Sequence, residues 1–326
     1  MRLLISRIFV CVSLLGLCMA GFLSPAIAVE STDAKAQALA HYTMGLIHDW
    51  NGSADEAIGE YQESIDIEQD NYATHLKLGS NYGRLGDFEK AVKELKVAAD
   101  LNPKDIQAHY LLALIYSSQS KEEKATDEYE IILMRIAEEN PESAEVVAFL
   151  GQLYYAEGKI NQAIEQFEKI ILIEPKNAEI LSILGSLYLE ISQKEKAIDF
   201  FKRSIVIDPI HDGSLNSLGY LYAEEGINLD EAIDFVQRAL TVDPENGAYL
   251  DSLGWAYYKK GDYDKALLFL ERAEKFIKDP VVYDHIGDVY YKMDNPKSAV
   301  RFWQKSVDML PGQTEILEKI QDTQNN

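Results

Sequence analysis

A small residue returns about every 34 positions along this chain. The series is Gly45, Gly79, Ala113, Gly151, Gly185, Gly219, Gly254 and Gly287, in steps of 34, 34, 38, 34, 34, 35 and 33. A fixed period of this length points to a stack of like units, each packed only on its neighbours. The stretch from Ala178 shows the local rule. Leu181, Leu184, Gly185 and Tyr188 fall at i, i+3, i+4 and i+7, one face of a helix. The polar turn Ser192-Gln193-Lys194 follows, then a second apolar run of Ala197, Ile198, Phe201 and Ile205, which Pro209 ends. Each unit therefore reads as two antiparallel helices joined by a tight turn.

The other units keep the same phase. Three residues after the small residue stand Tyr82, Tyr116, Tyr154, Tyr188, Tyr222, Tyr257 and Tyr290, with His48 in the first unit. The second helices open on Ala57, Ala91, Ala125, Ala163, Ala197, Ala232, Ala266 and Ala299. Pro103, Pro175, Pro209, Pro244 and Pro311 close them, with Pro141 and Pro280 slightly displaced. This pattern resembles the tetratricopeptide repeat, W-x2-L-G-x2-Y then A-x3-F then P. The resemblance covers roughly Ala38 to Gln313 and implies an all-α, right-handed superhelical solenoid of about eight helix-turn-helix repeats. The tryptophan slot departs from the pattern: it holds His41, His75 and His109, then Val147, Leu181, Leu215, Leu250 and Tyr283. The third unit is four residues longer around Ile132 to Pro141, about one helical turn, which predicts a lengthened second helix.

The organisation expected is a 1–28 export signal, a 29–37 polar lead-in, a 38–313 eight-repeat solenoid and a 314–326 capping helix and tail. Arg2 and Arg7 precede an apolar run, and Ala26-Ile27-Ala28 offers small residues for cleavage. Loss of this segment removes two arginines and no acids, taking the net charge from −23 to −25. Uncleaved, Ile8 to Ile27 is just long enough to anchor the chain in a membrane with the repeats outside the cytoplasm. A periplasmic location is the expectation. Both cysteines, Cys11 and Cys18, lie in this segment, so the remaining chain has no disulfide, thiolate metal site or cysteine nucleophile. No linker rich in Gly, Pro or Ser divides the repeats.

The strong negative charge disfavours nucleic acid and anionic lipid as partners. No phosphate loop, H-E-x-x-H or G-x-S-x-G motif is present, and the acids fall mostly in turns and on outer faces, so neither an enzyme nor a cofactor or metal is expected. His41, His75 and His109 lie in three different units and are expected to serve as packing rings. In the family resembled, the first helices line a groove that receives a protein or peptide. Mapping those positions gives a late cluster of Asn216, Tyr220, Asp251, Trp255, Tyr258, Asp284, Asp288 and Tyr291. Aromatics supply anchor area and acids select a basic or amphipathic segment. The expected function is an exported scaffold for envelope assembly or transport. The alternatives are self-association through apolar faces of the first units, or a carbohydrate-active enzyme using the acids and aromatics. Thr314 to Asp322, with Glu315, Glu318 and Lys319, reads as a solvating cap.

Overall fold

Packing a 34-residue unit requires its two helices to approach closely, and the described residues do this in a series of seventeen helices. The computed structural model describes residues 29–325; the predicted export signal lies outside them. The described residues contain no strand. Four helix pairs come first: α1 (Val29–Trp50) with α2 (Ala54–Ile67), α3 (Tyr72–Leu85) with α4 (Phe88–Leu101), α5 (Gln107–Ser118) with α6 (Glu122–Glu139), and α7 (Ala144–Ala156) with α8 (Ile160–Ile173). Four more follow: α9 (Ala178–Glu190) with α10 (Lys194–Ile207), α11 (Asp212–Glu224) with α12 (Leu229–Val242), α13 (Gly247–Lys260) with α14 (Tyr263–Phe276), and α15 (Pro280–Lys292) with α16 (Pro296–Met309). A last helix, α17 (Thr314–Asn325), packs on α16. The 29–37 lead-in is helical and continuous with the rest of α1.

Side chains fix where the helices begin. Asn71, Asn177 and Asn295 accept hydrogen bonds from the N–H groups of Thr74, Ile180 and Ser298 at 3.1–3.2 Å, meeting donors that a helix start leaves open. The turn between paired helices holds a residue in the left-handed region, and the longer turn after Glu224 holds two, Gly226 and Asn228. Gly86 and Gly261 take it freely, while Ser120 and Ser192 adopt it at φ 57° and 60° against the preference of a side chain.

The periodic glycine is the contact point in seven of the eight pairs, Ala113 standing there in the third. A Cβ at Gly185 would lie 2.5 Å from the Phe201 ring, and one at Gly79 or Gly254 would lie 2.6 Å from Leu95 or Leu270. The large residue four positions after the helix-opening alanine thus sits against the glycine face of its partner helix. Where room for a methyl remains shortest of all, the large residue is Tyr61 or Trp303, opposite Gly45 and Gly287. Units are joined by the periodic tyrosines, whose hydroxyls reach back to the preceding second helix: Tyr188 donates to Glu168 at 2.6 Å and Tyr82 to Gln62 at 3.4 Å.

The histidines of the tryptophan slot do more than fill space. Each bonds through Nδ1 to a glutamate 19 residues on, across its own helix pair: His41 to Glu60 at 2.8 Å, His75 to Glu94 at 2.7 Å and His109 to Glu128 at 2.6 Å. The expectation of simple ring packing is corrected here, because a buried imidazole needs partners for its nitrogens.

Although the sequence offers no linker, the fold resolves into two compact units, one ending at Ile131 and the other starting at Ile132. The division falls inside α6, whose 18 residues against 14 in the neighbouring second helices account for the insertion read in the sequence.

The glycine contacts generate a paired test. Gly185→Ala should lower stability by about 1–3 kcal/mol, since the methyl must displace a fully buried phenylalanine ring. Gly59, inside α2 with nothing within 4 Å of its added Cβ, should gain up to about 1 kcal/mol as alanine. Urea unfolding of the two variants would show opposite signs; equal effects would remove the packing explanation.

Candidate partner-binding site

The eight predicted residues stand on three successive first helices of the second compact unit: Asn216 and Tyr220 on α11, Asp251, Trp255 and Tyr258 on α13, and Asp284, Asp288 and Tyr291 on α15. Consecutive first helices pack side by side here. The i, i+4 spacing of Asp251 with Trp255 and of Asp284 with Asp288 puts each pair on one helix face.

Trp255 is the hub. It is 7% exposed. Its ring is stacked between His285, 4.0 Å between centroids, and Tyr258, 4.7 Å away. Its Nε1–H donates to Glu224 at 2.7 Å, and the Lys259 ammonium lies 4.8 Å from the ring centroid. Asp251 is buried and accepts a 2.9 Å bond from His285 Nδ1–H. Asp284 and Asp288 share the ammonium of Lys319 from α17, at 2.9 Å and at 2.7 and 2.9 Å. Asp288 also accepts from Trp303 Nε1–H at 3.0 Å. Two groups are less satisfied. Asn216 Oδ1 is buried and has no hydrogen-bond partner. Tyr291 is 47% exposed, its ring tilted over Trp303.

Burial and charge set the protonation states. Burial, then the neighbouring charges of Glu224 and Asp251, pushes the Tyr220 hydroxyl up to about 12. Burial and Asp288 do the same for Tyr258, also to about 12. Burial raises the Asp284 carboxyl above its ordinary range, Asp288 adds to this, and Lys319 opposes both. Burial acts to lower the His285 imidazole, but Asp251, through its charge and hydrogen bond, together with Asp284 and Asp288 outweighs it and holds the ring above its usual range.

Sequence reasoning found the acids and aromatics but missed their cations. Lys259 with Glu224, His285 with Asp251, and Lys319 with Asp284 stand 34 or 35 residues apart, one repeat exactly in phase between neighbouring first helices or the cap. Aligning the units one under another, rather than scanning each helix, brings these pairs into register. Lys319, read as part of a solvating cap, reaches instead onto the first-helix face. Among the described residues no grouping of three or more His, Cys, Asp or Glu is placed to hold a metal ion, and no helix is long and apolar enough to cross a membrane.

Two substitutions test this arrangement. Trp255→Ala should cost about 3–5 kcal/mol, as expected for a buried indole with a bonded N–H. Lys319→Met should cost about 1–3 kcal/mol at pH 7, because two carboxylates lose their shared donor. The Asp284 carboxyl already binds its proton more readily in the folded than in the unfolded chain, and loss of Lys319 strengthens this. Acidification through its range therefore stabilises the fold, and the Lys319→Met deficit should shrink between pH 7 and about pH 4.5. A melting-temperature deficit independent of pH would contradict the shared-ammonium reading.

Comparison with known proteins agrees with this architecture. Models described as tetratricopeptide repeat match residues 51–115 and 132–187, 178–211, and 216–280. The photosystem I assembly protein Ycf3 of Cyanophora paradoxa is 33% identical over 89 residues, covering 26% of this chain and 51% of that protein. The same protein of Acaryochloris marina is 31% identical over 103 residues, covering 30% of this chain and 62% of that protein. The chain thus spans between half and two thirds of these curated relatives. A chain of the APC/C hetero-tetramer Cut9-Hcn1 superposes with a TM-score of 0.54 at 17% identity, over 83% of this chain and 52% of that one, a likeness of fold. Period, helix pairing and matched segments together place this chain in the tetratricopeptide-repeat family.

Proposed function

We propose that this chain is an exported, non-enzymatic scaffold that binds a protein or peptide on the first-helix face of its second compact unit, in assembly or transport at the cell envelope. The observation that carries the reading is Asn216. Its Oδ1 is a buried acceptor without a partner, in a cluster whose indole and carboxylate groups are bonded. An unmet buried acceptor is unfavourable by about 1–3 kcal/mol, and a donating N–H from a bound segment relieves it. Tyr291 offers exposed aromatic area two first helices away. The signal-like N-terminal sequence supports export, and the assembly role named for the curated relatives supports a part in assembly. Because the carboxylates of the cluster are already paired, the partner is selected by hydrogen-bond donors and apolar contact more than by bulk positive charge.

The test places a photo-crosslinking residue at position 291, which is exposed, and not at the buried Trp255. One reproducible trapped protein, lost on Asn216→Ala at unchanged melting temperature, is the expected result. Equal trapping by the Asn216→Ala chain, or none by either, would remove this site.

Self-association has its own support in α1. Leu39, Ile47 and Trp50 are 62%, 47% and 91% exposed on α1. Under this second reading, light scattering on the 29–326 chain shows a dimer that Ile47→Lys with Trp50→Lys reduces to a monomer.

A further inference from the structure

The first compact unit differs from the second in how it fills one pair of positions. In the first three repeats the tryptophan slot and the position 19 residues later hold His41 and Glu60, His75 and Glu94, and His109 and Glu128. In three of the five later repeats the same two positions hold Leu181 and Phe200, Leu250 and Phe269, and Tyr283 and Phe302, the last two rings 6.4 Å apart between centroids; in the other two Val147 is matched by Gln166 and Leu215 by Asp234. Unit by unit, the histidine and the glutamate appear together and disappear together. The polar bridge is thus a feature of the first three repeats, and at least three of the later ones place apolar side chains at both positions.

His75 shows what the polar bridge requires. The ring is 7% exposed. Its Nδ1 faces the Glu94 carboxylate at 2.7 Å and its Nε2 faces the Gln69 backbone carbonyl at 2.8 Å. Both partners only accept, so both nitrogens must donate, and only the imidazolium has two N–H groups. A neutral ring would turn a lone pair toward one acceptor. The other titratable group acting on His75 is Lys93, which like Glu94 belongs to α4 and lies 3.6 Å from the Glu94 carboxylate. From the loop between α2 and α3 the ring meets the Gln69 carbonyl. His41 and His109 repeat the Nδ1 bond in the flanking repeats, at 38% and 12% side-chain exposure, so the bridge is most enclosed in the middle and last of the three.

We infer that the α3–α4 repeat is held by a proton-dependent bridge between His75 and Glu94, and that this repeat loosens as the pH rises past neutrality while the repeat at Leu181 does not. The sign follows from the pair. The Glu94 hydrogen bond raises the His75 imidazole above its ordinary 6.5. Its contribution is therefore complete below about pH 6.5 and is lost as pH climbs through the raised value. The same bond lowers the Glu94 carboxyl below its ordinary 4.5, so its contribution holds above about pH 4.5 and is lost on acidification below that. The bridge is strongest between these limits.

The chain itself supplies the control. His75→Leu with Glu94→Phe installs the pair that the repeat at Leu181 already uses, keeping a filled slot without a proton. Hydrogen exchange on the whole chain, corrected for intrinsic rates, compares residues 72–101 with residues 178–207. Between pH 6 and pH 8.5 protection of 72–101 should fall by about tenfold in the natural chain, with 178–207 unchanged, and should not fall in the double variant. Nitrogen NMR of labelled histidine gives a reading that does not depend on the variant folding. The His75 signals should show both nitrogens protonated at pH 7. A neutral His75 at pH 6, or equal loss of protection in both segments, would overturn the inference.

Discussion

The close approach of two helices at a glycine is the contact on which everything else depends. Seven of the eight pairs seat one large side chain, such as Phe201 or Leu270, at a point of the partner helix that has no Cβ to resist it. That seat fixes the rotation of both helices about their axes. Once the rotation is fixed, the residue three positions on must face the preceding unit, which is where Tyr188 meets Glu168. The residues on the opposite side of the first helix must then lie beside their equivalents in the next unit. The acids, cations and aromatics of α11, α13 and α15 become neighbours for this reason, without any direct attraction being needed to bring the helices together.

The period also explains what could be read in advance. Helix pairs, turn positions, the longer α6 and the buried glycine face follow from patterns within about 34 residues, and those patterns are local in sequence. The environment of Trp255 is not local. A tryptophan at a groove position is compatible with an exposed anchor or a buried hub, and its two stacking partners decide between them: Tyr258 is three residues away, but His285 is thirty. The same holds for Asp284 and Asp288, whose partner lies on the last helix. Local composition makes that helix a polar cap; only the geometry of stacking carries Lys319 onto the face of α15.

Charge gives this placement added weight. The chain has 54 acidic and 31 basic residues, so an acid without a nearby cation is the ordinary condition here. On the late first helices the opposite holds. Glu224, Asp251, Asp284 and Asp288 each meet a cation or imidazole from the following helix. Partly buried carboxylates with fixed partners stabilise and orient the helices that carry them, whereas exposed pairs contribute little. A face built this way is preorganised: a ligand that binds it does not need to order it first, which favours affinity for a given contact area.

The same backbone therefore carries two kinds of interior. Where Tyr283 and Phe302 join a helix pair, the contact depends on removing apolar surface from water. Where His75 and Glu94 join it, the contact depends on an imidazolium that both of its acceptors require. Helix lengths and glycine contacts are alike in the two cases, since Gly79 seats Leu95 as Gly287 seats Trp303. The fold is thus indifferent to which solution a repeat uses, and the choice is free to set how that repeat responds to its surroundings. In a repeat protein stability is close to a sum of unit and neighbour terms. A proton-dependent term at His75 and Glu94 then acts on the repeat that carries it and on its immediate neighbours.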